Sequence, residues 1–477
     1  MFVHLHMLIA FCIYFCALFI IGYFAYKKSK QSGDFILGKR SLNYWITALS
    51  AHASDMSGWL FMGFPAVIYA NGLIECWTAI ALTIGMYLNW HFIAPKLRRM
   101  TENYKSLTLP SFFQTRFNDQ SGILRIVSVI FCLLYFTFYL SAGLTVFGHL
   151  FESMFGVYFN IGALFGIFVV FYVLLGGFVS IALIDFFQGI FLMCMILLVP
   201  LVALIKLGGL GEIITVAHAK NISLSLFPAS KTGFLAMLSA ASWGFGYFGL
   251  PQILTKFMGI DNPEKISHAK RVGISWQILS ITGAVSVGLI GIAFFKDGLV
   301  NNEHIFIEMV KSLFPEFFAG IILCAISAAA INVMGGQALV SASVLAEDFY
   351  KKYFFRSENK NISQDIINKR VTLVSRLCVI LMCFISYIVV IYGPHNTIYK
   401  LTNYAWSGLG CSFGPLVIVS LYSRINNRWA ALSGILSGGI VAGVWPYFCE
   451  SFPAMIVGFF TSFVAIYLTN FFMRDKV

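Results

Sequence analysis

Thirteen apolar runs succeed one another from one end of this chain to the other, at 5–26, 42–70, 74–95, 126–149, 160–178, 186–206, 232–255, 273–295, 316–346, 377–393, 398–422, 429–448 and 454–473. A helix needs about 20 apolar residues to cross ~30 Å of hydrocarbon, and inside lipid it must satisfy every backbone amide and carbonyl itself. Thirteen such spans with short connections consume most of the 477 residues and leave no room for a soluble domain. Composition agrees, with 59% of residues hydrophobic and only 11% charged, where a soluble chain is about half apolar and a quarter charged. Aqueous enzymes and nucleic-acid binders are excluded. An all-α polytopic membrane protein remains.

Charge tests the count independently. The formal net charge of +12 is a statement about orientation, because Lys and Arg collect in cytoplasmic loops. With thirteen spans and the N-terminus outside, 26 of the 32 basic residues fall on the cytoplasmic side, among them Lys27, Arg40, Arg98, Arg125, Lys256, Lys351 and Arg428. Lys206, Lys220, Lys231, Lys296, Lys311 and Lys400 fall outside. A miscounted span would scramble that bias. The expectation is therefore a multi-pass inner-membrane protein with its N-terminus outside and its C-terminus in the cytoplasm. The first run is followed by KKSK rather than by a small-residue cleavage site, so it reads as a retained helix. The ten cysteines form no CxxC pair and read as buried thiols, neither a disulfide framework nor a metal site.

Two spans are interrupted near their middle. The second holds SAHASDMSGW, with Ser54, Asp55, Ser57 and Gly58 at mid-span; the seventh holds SWGFGYFGLP, with Gly244, Gly246, Gly249 and Pro251. Broken backbone at membrane depth is tolerated only where it faces protein or a cavity. Five spans separate the start of the second from the start of the seventh, so the units they open, 42–207 and 232–423, have opposite orientation. Around them lie 1–41 (first span and its loop), 208–231 (an external loop) and 424–477 (two further spans). Inverted repeats whose first helices are broken mark a binding site at the midplane of a secondary transporter. Small-residue helix packing explains isolated glycines, but not two matched clusters of which one holds a carboxylate. Asp55 is the acid expected deepest within a span, with no Lys or Arg at comparable depth. A charge there costs at least ~2.5–3.5 kcal/mol on insertion scales, so a bound cation or a proton is its expected partner; the plainer reading is a protonated Asp hydrogen-bonded within the bundle.

The stretches ALSAHASDMSGWLFMG, LTLPSFFQTRF, WGFGYFGLPQIL, GQALVSASVLAEDFYK and YAWSGLGCSFGPL together resemble the sodium:solute symporter family, and within it the bacterial branch that carries proline. The resemblance runs from about residue 33 through the twelfth span. It implies a five-plus-five inverted-repeat, LeuT-like core with flanking helices, working by alternating access as a sodium-coupled importer. It further implies a cation site built from the carbonyls of Ala53 and Met56, the carboxylate of Asp55 and the carbonyl of Ala329. The implied substrate site comprises Ser57, Gly58, Trp59, Tyr139, Trp243 and Tyr247, whose backbone amides suit a carboxylate and whose rings suit a pyrrolidine ring and its ammonium. Each of these aromatics taken singly is as readily core packing. Arg40 and Asp185 match further polar positions of the family and are expected to serve gating or structure, with Asp185 beside a short cytoplasmic turn.

The ninth span departs from the family, which places a Ser-Thr pair one turn beyond the carbonyl ligand. Here Asn332 and Val333 occupy those positions. Residues 329, 332 and 333 share one helix face, so Asn332 can offer an amide oxygen while Val333 offers nothing to a cation. His52, a residue that titrates near neutral pH, stands where the family has a small residue. Three couplings are open to such a site: sodium held by the remaining oxygens and water, a proton carried by Asp55 or His52, or no coupling at all. Proline is the expected solute, with the bilayer and sodium the only other partners, no obligate protein partner and no cofactor. The alternatives are another small organic solute on the same fold, or a transporter-like solute sensor. The latter would need a separate output partner, because the chain stops just past its last span. No intramembrane catalytic set such as HExxH is present, and no channel filter motif.

Overall fold

The computed structural model describes residues 5–32, 36–174, 177–228, 230–351, 364–393, 397–449 and 451–473. Among these the chain is helical and contains no strand; a single bridge joins Leu42 to Ile260. The first apolar run is α1 (Leu5–Ser32). The second is split into α2 (Tyr44–Ala53) and α3 (Gly63–Asn71). Gly72, at φ 80°, turns the chain into α4 (Cys76–Leu88), which passes through a π-helical turn into α5 (Ala94–Asn103). A short α6 (Leu109–Arg116), capped by Thr108 and Ser111, leads to α7 (Ile123–Phe155), α8 (Phe159–Leu174) and α9 (Gly177–Leu207).

After α10 (Gly211–Ala219), the seventh run divides into α11 (Lys231–Ser242) and α12 (Pro251–Met258), joined by a 3-10 segment over Trp243–Gly249 and bent by 44°. Then come α13 (Ile266–Phe294), α14 (Ile305–Leu313) and α15 (Glu316–Ser343), which runs on into a π-helical stretch. The remaining helices are α16 (Gln364–Tyr392), α17 (Ile398–Tyr422), α18 (Arg428–Phe448) and α19 (Ala454–Phe472).

All thirteen apolar runs are thus helical, but they do not all qualify singly as crossings. Among the described residues nine helices are long and apolar enough to cross a bilayer, or ten with α11 and α12 counted as one bent span; 159–170 and 376–392 are shorter apolar helices. The shortfall has a physical source. The stretch 58–103 is continuous enough to count once, yet at 1.5 Å per residue it would be more than twice as long as the hydrocarbon is thick. Interruption also leaves α2 too short to count.

The most enclosed helices are α15 and α17, whose apolar windows are 83% and 89% buried, against 22–28% for α1, α9 and α19. The first two therefore form the interior and the last three turn apolar side chains outward. α15 is wrapped by α1, α7 and α9, and α17 by α7, α18 and the Trp243–Gly249 segment. At one end of the bundle the Arg40 guanidinium donates to the Met258 carbonyl (2.6 Å), the Ser106 carbonyl (3.0 Å) and Thr101 Oγ1 (3.3 Å), pinning the chain before α2 to the ends of α12 and α5. Elsewhere Glu303 accepts the first amides of α17, from Ile398 and Tyr399, each at 3.2 Å. Such a carboxylate complements the positive end of a helix dipole.

Backbone meets backbone where α4 crosses the second break. A Cβ added to Gly244 would lie 2.5 Å from the Ala81 carbonyl oxygen, and one added to Gly85 would lie 2.3 Å from that of Gly244. No rotamer change relieves a clash with main chain. Gly244→Ala is therefore expected to force α4 away from the segment and cost about 1–3 kcal/mol of stability, read as a lower unfolding temperature in detergent together with impaired transport. A wild-type melting profile with full activity would contradict this packing.

Candidate functional site

The second run breaks because its amides stop following the helical ladder. Ser54 N and Met56 N still reach carbonyls four residues back, those of Ser50 and His52, but Asp55 N shares the His52 carbonyl, only three back, and Ser57 N turns to Asp55 O, two back. The Ala53 and Met56 carbonyls are left outside this set. Ser57 then opens a 3-10 turn at Gly58–Leu60, its hydroxyl accepting Trp59 N at 3.4 Å. Gly58 is needed there: a Cβ would meet Val146 of α7 at 2.3 Å. The second break forms from the glycines of WGFGYFG, and Leu250, with extended backbone, precedes Pro251 at the first turn of α12.

The two breaks face each other. Tyr247 Oη donates a hydrogen bond to Asp55 Oδ2, Gln277 Nε2 of α13 donates to Tyr247 Oη at 3.2 Å, and Asn89 Nδ2 holds the Tyr247 carbonyl at 2.9 Å. The Trp59 indole donates to the Asp55 carbonyl at 3.1 Å, and that of Trp406 to the Trp243 carbonyl at 2.8 Å. The rings themselves form a continuous cluster, with centroid separations of 5.7 Å for Trp59–Trp243, 5.8 Å for Trp243–Trp406, 5.2 Å for Tyr247–Trp406 and 5.0 Å for Trp243–Tyr399. Trp59, Trp243, Tyr247 and Trp406 are all buried, as are Asp55 and Met56. A solute reaches this cluster only when packed elements separate. Tyr139 of α7 is buried, its hydroxyl without a hydrogen-bond partner among the described residues.

α15 passes the first break with Gly336 against it, the position of its Cβ 3.4 Å from Ser54 Oγ. Asn332 and Val333, about one turn back, and Ala329, about two turns back, are buried. Neither polar atom of the Asn332 amide, nor Asp55 Oδ1, has a hydrogen-bond partner among the described residues. Buried polar groups are rarely left so, and oxygens in this state fit a hard cation.

The remaining candidates sit apart from the aromatic cluster. Arg40 takes part in the tie described above. His52 lies between Trp90, whose indole donates to its Nε2 at 3.0 Å, and Trp276, with Gly273 leaving room for the ring. Asp185 departs from expectation: it does not flank a turn but lies inside α9, buried, bonded to Lys256 Nζ at 2.9 Å. Lys256, expected in a loop, is in α12 and equally buried. A basic side chain does therefore lie in the interior close to the first break, because its charge is neutralised by pairing there. A small pocket between α6, α7, α12 and α15 is lined by Thr108, Cys132, Pro251, Thr255 and Ser343 among others and includes none of the candidates.

Residues 35–438 match the sodium:solute symporter family. The chain is 39% identical over 466 residues to the sodium/proline symporter of Escherichia coli (strain K12), covering 95% of this chain and 91% of that one. It is 40% identical over 443 residues to the sodium/proline symporter of Staphylococcus aureus (strain JH9), covering 92% and 85%. Among solved structures, a Na+-coupled sialic acid symporter in a substrate-bound outward-open state is similar with a TM-score of 0.79 at 17% identity, over 97% of both chains. Mhp1, a nucleobase-cation-symport-1 family transporter, gives 0.57 at 12% identity over 93% of this chain and 95% of that one. MhsT in complex with L-phenylalanine gives 0.53 at 13% identity over 88% and 98%. At these identities the structures speak for the fold alone, which is all-α and LeuT-like.

Proposed function

The chain belongs to the sodium:solute symporter family, and from that premise we propose that it is a membrane transporter that couples the entry of proline to sodium, binding both at the facing breaks of its second and seventh apolar runs. The observation that carries the reading is the hydrogen bond from Tyr247 in one break to Asp55 in the other. It makes one polar centre out of two interrupted helices, in the place where secondary transporters of this architecture bind solute and ion.

In this reading the Ala53, Met56 and Ala329 carbonyls, the Asp55 carboxylate and the Asn332 amide oxygen surround sodium. The Gly58 amide and the Ser57 hydroxyl receive the proline carboxylate, which lies near the positive end of the helix that restarts there. Trp59, Trp243, Tyr247 and Tyr139 enclose the pyrrolidine ring, and the aromatic faces attract its ammonium. Sodium bound beside Asp55 neutralises a buried carboxylate and thereby favours the closed packing around proline; that is how one ligand strengthens the other. The bias of basic residues supports an N-terminus outside and a C-terminus in the cytoplasm, with units 42–207 and 232–423 as the two repeats.

Equilibrium binding of radiolabelled proline to the purified protein tests this directly. Affinity is expected to rise at least about tenfold when sodium replaces choline, and sodium-independent binding of equal strength would refute the shared site. Val333, 2% exposed on the face of α15 shared with Asn332, supplies a further check. Val333→Thr is expected to lower the half-saturating sodium concentration about fivefold, since one added hydroxyl ligand is worth about 1 kcal/mol. If the residue does not face the ion, the new hydroxyl is left buried without a partner and the variant only loses stability.

A further inference from the structure

The Asp185 carboxylate collects three donors inside the protein. Lys256 Nζ lies 2.9 Å from Oδ2, Ser50 Oγ 2.6 Å and Ser54 Oγ 3.4 Å, with the acid and base side chains 1% and 2% exposed. The cluster joins three elements: α9 through Asp185, α12 through Lys256, and the end of α2 through the serines. Ser54 stands between Ala53 and Asp55, so the cluster adjoins the first break and the ion site assigned to it above. The Phe178 ring faces the ammonium at 5.2 Å, an arrangement that suits a cation.

Ion pairs this deeply buried repay their desolvation poorly, and an apolar pair of similar volume often serves stability as well or better. What the pair does provide is charge at a fixed place. A carboxylate with two hydroxyl oxygens in a buried pocket is the hard-oxygen set that holds an alkali cation, since each hydroxyl can rotate to present a lone pair instead of its proton. Here the position that cation would take is held by the ammonium.

We propose that the Asp185–Ser50–Ser54 cluster is a second cation site which this chain fills with its own Lys256, so that one sodium accompanies each proline. The tethered ammonium satisfies Asp185 throughout the cycle without crossing the membrane. It also places a fixed positive charge near the mobile sodium, limiting that region to a single alkali ion. This rests on the sodium-coupled symport reading and adds to it the identity of the second charge.

The test is the ratio of radiolabelled sodium to radiolabelled proline entering proteoliposomes in paired initial-rate measurements. Sodium-driven proline entry in the wild type is read first; its absence would overturn the symport reading itself, and this proposal with it. Given such entry, the wild type is expected to move one sodium per proline with a sodium Hill coefficient near one. Lys256→Met retains the apolar stem but leaves the carboxylate open; it is expected to double the ratio and to steepen sodium activation. Lys256→Arg, and the double variant Asp185→Asn with Lys256→Met, are each expected to keep the ratio at one. Two sodium ions per proline in the wild type, or an unchanged ratio in Lys256→Met, would overturn the assignment. Should Lys256→Met not reach the membrane, Lys256→Gln, which removes the positive charge and can turn its amide oxygen toward a cation, takes its place with the same two outcomes.

Discussion

Asp55→Asn is expected to abolish concentrative proline uptake, at least about a hundredfold below wild type, while the protein still folds and inserts. Asparagine has the shape of aspartate and can still accept the Tyr247 hydroxyl and occupy the space beside Trp59, so the helix break and its packing persist. What disappears is the negative charge, together with an oxygen, Oδ1, that no described residue satisfies. Loss of one charged contact in a buried site is worth about 2–3 kcal/mol, and tenfold in affinity corresponds to 1.4 kcal/mol, so loss of sodium affinity alone predicts about two orders of magnitude. Uptake in vesicles and the monomer peak in size-exclusion chromatography together check the point. Wild-type accumulation by a correctly inserted variant would remove Asp55 from the mechanism.

Tyr247→Phe carries the second large effect. The phenol is the bridge between the two breaks: it donates to Asp55 and accepts from Gln277 Nε2 at 3.2 Å. Phenylalanine keeps the ring against Trp406, so the aromatic wall survives. Two buried polar groups lose their shared partner, at about 1–3 kcal/mol for each group left unsatisfied. The half-saturating proline concentration is therefore expected to rise about 10–100-fold, with a smaller rise for sodium, and Tyr247→Trp is expected not to rescue it. Equal kinetics in wild type and Tyr247→Phe would mean that the hydroxyl only fills space.

Both predictions rest on residues that local sequence already marks. SAHASDMSGW and SWGFGYFGLP announce broken helices because glycine, proline and short polar side chains cannot sustain an apolar span, and a carboxylate in one of them has no ordinary reason to be there. The partners are another matter. Tyr399 and Trp406 come from α17, Gln277 from α13 and Asn89 from the π-helical turn after α4, and nothing within a few residues of them signals that they converge on Tyr247 and Trp243. YAWSGLGCSFGPL is visible as a motif, yet which face of it turns inward follows only from the way α17 lies against the second break. Lys256 differs from its expected place for a related reason: on a hydropathy profile a lysine ends a span, whereas pairing with Asp185, 71 residues away, lets it sit in the interior. The crossing count suffers from the breaks themselves, since a span divided by a functional unwinding no longer satisfies a length criterion.

His52 illustrates how packing narrows chemistry that the sequence leaves open. A histidine beside the first break invites a proton-carrying role, but its Nε2 already accepts the Trp90 indole and its ring is enclosed by Trp90, Trp276 and the backbone at Gly273. Protonation at Nε2 would expel that donor. That packing weighs against His52 as a proton carrier, in keeping with the sodium-coupled reading.

Uptake of radiolabelled proline into proteoliposomes, with inward sodium and inward proton gradients imposed separately, tests this account most directly. Accumulation above equilibrium is expected under the sodium gradient, at either pH and without a proton gradient, and is expected to collapse when the sodium gradient is dissipated. Accumulation driven by protons alone, or none under a sodium gradient by a folded protein, would contradict it.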